Sequence, residues 1–403
     1  MNIVVDLHSH SPYAGASGKT DFPKLRYVMQ AKGIDVYGSG DILLEKWENE
    51  LDSGFRFDRK KGMWNIAQSG NNGFYLMPQT EVIVTLPYLH NTKKRKLFHI
   101  VVIFRNRDQI PDARKLFISA GSRLGIGRPF VKFDSSVQMC DFFIQLKKKC
   151  GCLLIPAHIM TPDGILGGKN PIESVEDIFG SETHLIDALE SGLSADPDMI
   201  KRIAGLLDVP VISSSDAHSA AFNRLGREFT ELDVDEISAE GISDAVKRGS
   251  VVKTAEFPPF EGRYYLTGHR SDRPGHNGEE VFFTENPPEF CPLCGKPLTM
   301  GVKELAGSLY PGAKERKQDF IYQIPLVEVI AESLKCGTGT KRVTDIYLEI
   351  IRQAGRESSI WLESGELDLK NIPAEVTEGI NRIKTGRYTV NYGFDGKYGR
   401  IIF

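Results

Sequence analysis

Acidic and imidazole side chains stand at the ends of one apolar run after another in this chain, and that repetition restricts the fold more than any other feature. The first case is Asp6-Leu7-His8-Ser9-His10, directly after Ile3-Val4-Val5. In an extended strand, residues at i, i+2 and i+4 point to one side, so Asp6, His8 and His10 are expected to converge. Carboxylate and imidazole are ligands for zinc, manganese or iron. Taken alone, the stretch also fits a pair of hydrogen-bonded core or surface histidines. That alternative weakens as partners are found.

The partners follow in order. Cys152 to Ala157 ends in His158, and Val209 to Ser215 ends in Asp216-Ala217-His218, a second i, i+2 pair on one strand face. Phe74 to Thr80 ends in Glu81, and Val36 to Gly40 ends in Asp41. His99 fits less neatly, because it precedes its apolar run Ile100 to Phe104. Ligands at the exits of successive buried strands are what a parallel α/β barrel supplies at the carboxyl ends of its strands. Between these runs, Lys24 to Lys32, Asp141 to Lys149 and Asp198 to Leu207 carry helical patterns, and strands alternating with helices indicate βαβ units.

In order and type, these motifs resemble the PHP (polymerase and histidinol phosphatase) superfamily of metal-dependent phosphoesterases. His8 and His10 match the family's opening HxH, Asp41 its second motif and Glu81 its metal-bridging Glu. His99 and His158 match its two isolated histidines, and Asp216 with His218 its closing DxH. The resemblance implies an α/β fold, a distorted seven-stranded β/α barrel. It also implies two or three divalent ions (zinc, manganese, magnesium or iron), with Asp216, Glu81 and His158 as the catalytic residues. Two departures bear on the ion count. Gly40-Asp41 stands where the family usually has Asp-His, and Ser11 to Lys19 lacks the further His that many members carry.

At 403 residues the chain is long enough for two or three domains. It is 41% hydrophobic, yet no apolar run approaches the 18 residues of a membrane span. Met1-Asn2 leads straight into the first apolar run, leaving no room for a signal peptide, and six cysteines without framework-like spacing suit a reducing compartment. A cytoplasmic protein is expected.

The Pro-rich break at Phe257 to Gly262 divides the chain into a catalytic barrel over 1–262, a turn-rich segment over 263–302 and a helical module over 303–403. The middle segment holds Cys291-Pro292-Leu293-Cys294-Gly295-Lys296, the knuckle turn of a zinc ribbon. The nearest further ligands are His269 and His276, at irregular spacing, so a structural zinc and a knuckle held by packing alone are both open. In the last segment, two helical patterns flank Gly337-Thr338-Gly339-Thr340-Lys341. That arrangement is similar to a helix–hairpin–helix, whose turn amides grip phosphate; Gly337, Gly339 and Lys341 are the candidates, and a plain connection between packed helices is the alternative.

The order of parts, a barrel, a CPxCGK knuckle, a GxGTK turn and a terminal GFDGKYG segment, resembles the endonuclease Q family. The resemblance implies hydrolysis of the phosphodiester 5′ of deaminated bases (uracil, hypoxanthine, xanthine) or abasic sites in DNA by a two-metal mechanism, with a sliding clamp as a further candidate partner. The alternative is a PHP-type phosphatase acting on a small phosphate monoester such as histidinol phosphate. The net charge of −3 is not that of a dedicated duplex binder, so DNA contact should be local. Lys93-Lys94-Arg95-Lys96, three residues before His99, is the expected phosphate-contacting run.

Overall fold

Short strands around a shared apolar interior build the amino-terminal part of the computed structural model, which describes residues 1–15, 21–66, 73–88, 91–167 and 172–403. An eight-stranded sheet runs Phe320–Tyr322, Val251–Glu256, Phe229–Asp233, Asn2–Asp6, Val36–Gly38, Tyr75–Met77, Met63–Asn65, Arg56–Asp58. A four-stranded sheet runs Phe130–Lys132, Gln79–Tyr88, Asn91–Ile103, Leu153–Pro156, and Leu189–Glu190 pairs with Val211–Ile212. Ile3, Val5, Leu7, Met77, Val101, Ile103, Leu153, Ile155 and Ile212 from all three sheets meet in one buried cluster.

Among the described residues this is not a closed seven-stranded barrel, and it is not wholly parallel. Asn2–Asp6 is parallel to Val36–Gly38 but antiparallel to Phe229–Asp233. The ladder breaks at Pro78, between Tyr75–Met77 and Gln79–Tyr88, because proline has no N–H to donate. Gln79–Tyr88 then turns back through a short connection into Asn91–Ile103, and two strands joined so tightly must run antiparallel. Two expectations change with this. Glu81 sits near the start of a long hairpin strand rather than at the exit of the preceding one. His99 precedes its apolar run because its strand returns from the hairpin tip, entering the interior only after it has passed the site.

Helices cover the outside. Phe22–Lys32 starts on Asp21, whose side chain accepts from Lys24 N, and stops at Gly33, where a φ of 73° suits glycine. Val302–Ser308 places Ala306 in the outer core, and Phe320–Tyr322 joins the large sheet in parallel with Val251–Glu256. A separate core forms from Leu326–Ser333, Lys341–Ala354, Glu357–Leu362 and Ala374–Lys384, around Leu326, Ile330, Tyr347, Trp361 and Ile380. No helix among the described residues is long and apolar enough to cross a membrane.

A buried ion pair ties this helical core to the Phe22–Lys32 helix of the amino-terminal part. Lys32 Nζ donates to Glu357 Oε1 at 2.7 Å, and the same carboxylate accepts from Leu326 N and the Tyr347 hydroxyl, both at 2.9 Å. Removing one partner leaves the other charge buried and unpaired, a loss of about 3–5 kcal/mol. Glu357→Ala is therefore expected to lower the denaturation midpoint sharply, and the apolar pair Lys32→Met with Glu357→Leu to recover most of it.

Candidate metal centre

Four chain segments deliver the site. His10 N donates to Ala217 O at 3.0 Å and Ser9 bridges to Ala217, which lays the opening and closing motifs side by side. Asp41, His158 and Asp216 all have positive φ, 45°, 31° and 47°, a region non-glycine residues seldom adopt. Each lies a few residues past the end of the preceding strand. Such strain persists only where surrounding contacts hold it, and it concentrates at functional sites.

Glu81 occupies the centre. Its carboxylate oxygens lie 2.6 Å from His99 Nδ1, 3.2 Å from His158 Nε2, 3.5 Å from His10 Nε2 and 3.6 Å from His8 Nε2. Asp216 Oδ1 lies 3.0 Å from His10 Nε2, 3.6 Å from His8 Nε2 and 3.7 Å from His218 Nε2. Two groups result, His8 with His10 and Asp216, and Glu81 with His99 and His158; within each, the ligand atoms lie inside 4.8 Å of one another. His218 stacks on His10 at 4.3 Å between ring centroids and is exposed at the mouth.

The donor atoms fit cations. His8 Nε2, His10 Nε2, His99 Nδ1 and Asp216 Oδ1 are buried without a hydrogen bond, although oppositely charged atoms stand close. Each would cost about 1–3 kcal/mol if nothing met it. Burial opposes charge on these rings, yet the carboxylates of Glu190, Asp216 and Glu81 outweigh it and push His8 up to about 9. For His10 the same burial is outweighed by Asp216, Asp41 and Glu81, which push it up to about 10. Burial likewise works against ionised Glu81, but His158 and His99 hold it well below the usual carboxylate range. The cluster thus gathers positive charge, and divalent ions would bind in exchange for the imidazole protons.

A second layer holds the ligands in place. Glu190, unremarked in the sequence, accepts from His8 Nδ1 and from His158 N, both at 2.9 Å. Thr161 Oγ1 meets His158 Nδ1 at 2.7 Å. The signal for Glu190 was present, a carboxylate after Ile186 to Leu189, but Asp187 interrupts that run.

Several expected residues lie elsewhere. Asp6 does not converge with His8 and His10; it braces the closing turn from behind, accepting from Ser215 N at 2.9 Å and Gly226 N at 3.0 Å, and burial pushes it up to about 6. Asp41 also stands behind the cluster, its Oδ2 taken by Ser11 N and Ser11 Oγ and its Oδ1 3.4 Å from His10 Nδ1. In the basic run only Lys93 and Lys94 are exposed. Lys96 is buried with Nζ on Gly167 O at 2.7 Å, and Arg95 grips Thr85 O and Phe133 O, so neither is a free phosphate contact. Gly337 and Gly339 lie in an exposed turn, and Lys341 pairs with Asp345 at 2.5 Å.

A second metal-ligand group lies in the knuckle. His269, His276, Cys291 and Cys294 bring their ligand atoms within 4.8 Å of one another. His276 Nδ1 lies 3.0 Å from Glu279 O, which leaves Nε2 turned toward Cys291 Sγ at 3.3 Å; Cys294 Sγ lies 3.6 Å from His269 Nδ1. A cleft of about 1230 Å³, lined by none of the cluster's own residues, opens between Met160, Leu193, Tyr264, Tyr265 and Tyr310.

This fold, with two neighbouring ligand groups at the rim, is similar to that of the PHP class of metal-dependent phosphoesterases. Residues 198–251 match the family described as PHP-associated, and residues 325–387 match the MJ0043 C-terminal domain. Within that class the chain is similar to endonuclease Q over its whole length. The lesion-specific endonuclease PfuEndoQ from Pyrococcus furiosus superposes with a TM-score of 0.83 at 26% identity, covering 100% of this chain and 95% of that one. Endonuclease Q in complex with a 27-mer duplex carrying an abasic lesion at the active site gives 0.80 at 27%, covering 100% and 96%. Among curated relatives, the uncharacterized protein MJ0043 of Methanocaldococcus jannaschii is 31% identical over 242 residues, 57% of this chain, and YqxK of Bacillus subtilis is 30% identical over 279, 66% of it. The chain spans 30% and 66% of the lengths of these two.

Because Glu190 fixes the outward face of His8 and the turn at His158, Glu190→Gln should weaken divalent-ion binding by about 10–100-fold. Elemental analysis after dialysis at graded metal concentrations measures this, with circular dichroism showing the fold retained.

Proposed function

We propose that this protein is a metal-dependent DNA repair endonuclease that hydrolyses the phosphodiester 5′ of a deaminated base or abasic site. The observation that carries this reading is the full-length likeness to endonuclease Q, including the knuckle and helical modules beyond the barrel. A phosphatase for a small monoester would need only the barrel. Nothing observed supports a sliding-clamp partner.

His8, His10 and Asp216 on one side and His99 and His158 on the other would hold two divalent ions, with Glu81 between them. Such ions supply Lewis-acid charge for an in-line displacement and lower the pKa of bound water. The protein's own part is placement: Glu81 and Asp216 supply the negative charge that retains cations among neutral imidazoles, and Glu190 fixes His8. The knuckle group, His269, His276, Cys291 and Cys294, suits structural zinc, with two thiolates and two imidazoles at one point.

The cleft is the reading's candidate for an extruded nucleotide. Its volume exceeds that of a single base, and Tyr264, Tyr265 and Tyr310 offer aromatic walls. Trp47 and Trp64, by contrast, are core residues. Hydrolysis at the site would leave a 3′-hydroxyl and a 5′-phosphate.

Duplexes carrying one deoxyuridine, deoxyinosine or abasic site, incubated with Mg²⁺ or Mn²⁺, are expected to be nicked on the 5′ side of the lesion; intact duplex with every metal would overturn the reading. Asp216→Asn keeps the volume but removes the charge. It should abolish nicking while gel-shift affinity for lesion DNA survives, because most of the duplex grip lies outside the metal centre.

A further inference from the structure

Arg128 is the one arginine or lysine among the described residues paired with Glu81, and nothing in the ligand set accounts for it. Its Nη1 lies 3.4 Å from Glu81 Oε2, a long and single contact, and its side chain is 30% exposed. Arginines that brace this fold are held differently. Arg107 forks across Glu48 and Asp52, and Arg95 spans Thr85 O and Phe133 O. Arg128 has Glu81 as its only hydrogen-bond partner among the described residues, which leaves most of its donors without a protein partner.

Its backbone is nonetheless fixed on both sides. Gly127 N donates to Tyr13 O at 3.1 Å, and Pro129 O accepts from Ile83 N at 2.9 Å. At Gly127 a Cβ would stand 2.8 Å from Asp41 Oδ2 and from Ala14 N, so no larger residue lets the loop approach this closely. The neighbouring cation Arg227 is spoken for, donating to Ser215 O at 2.8 Å. A guanidinium with a pinned backbone and free donors, aimed at a cation-binding carboxylate, is built for an anion that arrives with the substrate.

We propose that Arg128 contacts the non-bridging oxygens of the scissile phosphate, a reading that rests on the phosphoesterase site assigned above. With divalent ions on Glu81 the carboxylate's charge is already taken up, and a guanidinium beside those ions needs a different anion to stay. A phosphodiester provides two oxygens in the plane that the guanidinium fork matches.

The test compares wild type, Arg128→Ala and Arg128→Lys at equal metal loading. Arg128→Ala should retain the wild-type metal content, lose about 10²–10³-fold in single-turnover nicking, and flatten the salt dependence of lesion-duplex binding by about one phosphate contact. Arg128→Lys should recover part of the rate, since it keeps the charge but not the fork. Loss of metal in step with nicking would overturn the proposal, making Arg128 a prop for Glu81; so would unchanged nicking. The nuclease reading is checked separately by the wild type. If the wild type fails to nick, calorimetric binding of inorganic phosphate to the metal-loaded proteins still decides the role of Arg128. Weaker binding by about tenfold, or 1.4 kcal/mol, in Arg128→Ala upholds the contact, and equal binding removes it.

Discussion

One buried carboxylate, Glu81, lies within 3.6 Å of four imidazoles, and the rest of the rim is arranged around that contact. Four histidines from three segments would not stay together in an apolar interior without anionic partners, because desolvation disfavours each charged ring. For His8, His10 and His158, the neighbouring carboxylates Glu81, Asp216 and Glu190 reverse that preference. The same field that holds protons on His8 and His10 would hold divalent ions in their place. The strained turns at Asp41, His158 and Asp216 show that the surrounding fold, not local preference, sets the positions.

The accessory parts are bound into this frame rather than strung from it. Phe320–Tyr322 joins the eight-stranded sheet, the helical core is tied to the Phe22–Lys32 helix through Lys32 and Glu357, and Phe394 of the terminal segment bridges to Leu266 next to the knuckle. A duplex lying across the rim would meet a single connected surface. On the proposed reading, a slightly acidic chain would rely on local contacts instead of overall charge to meet DNA.

Much of the site was legible because metal ligands leave a short-range signature: His8 and His10, or Asp216 and His218, two residues apart after an apolar run. What was hidden depends on strand direction and depth. The hairpin over Gln79–Tyr88 and Asn91–Ile103 makes the sheet antiparallel there, which explains His99 and breaks the expectation of a uniform parallel barrel. Spacing could not tell that Asp6 faces Ser215 and Gly226 rather than the histidine cluster, or that Lys96 is buried on Gly167. Arg128 had no signal, since it lies in an aperiodic loop whose closeness to Glu81 is purely tertiary. The knuckle was half legible: Cys291 and Cys294 announce themselves, whereas His269 reaches them only through the pairing of Thr267–His269 with Val281–Phe283.

The central claim is that ions sit on both sides of Glu81 and that the chemistry happens there. Anomalous diffraction from crystals grown with Mn²⁺ and a lesion-bearing duplex tests it most directly. The account predicts a peak among His8, His10 and Asp216, a second among His99 and His158, Glu81 touching both, and the phosphate 5′ of the lesion between them. An absence of peaks at Glu81, or a lesion phosphate bound away from it, would contradict the account.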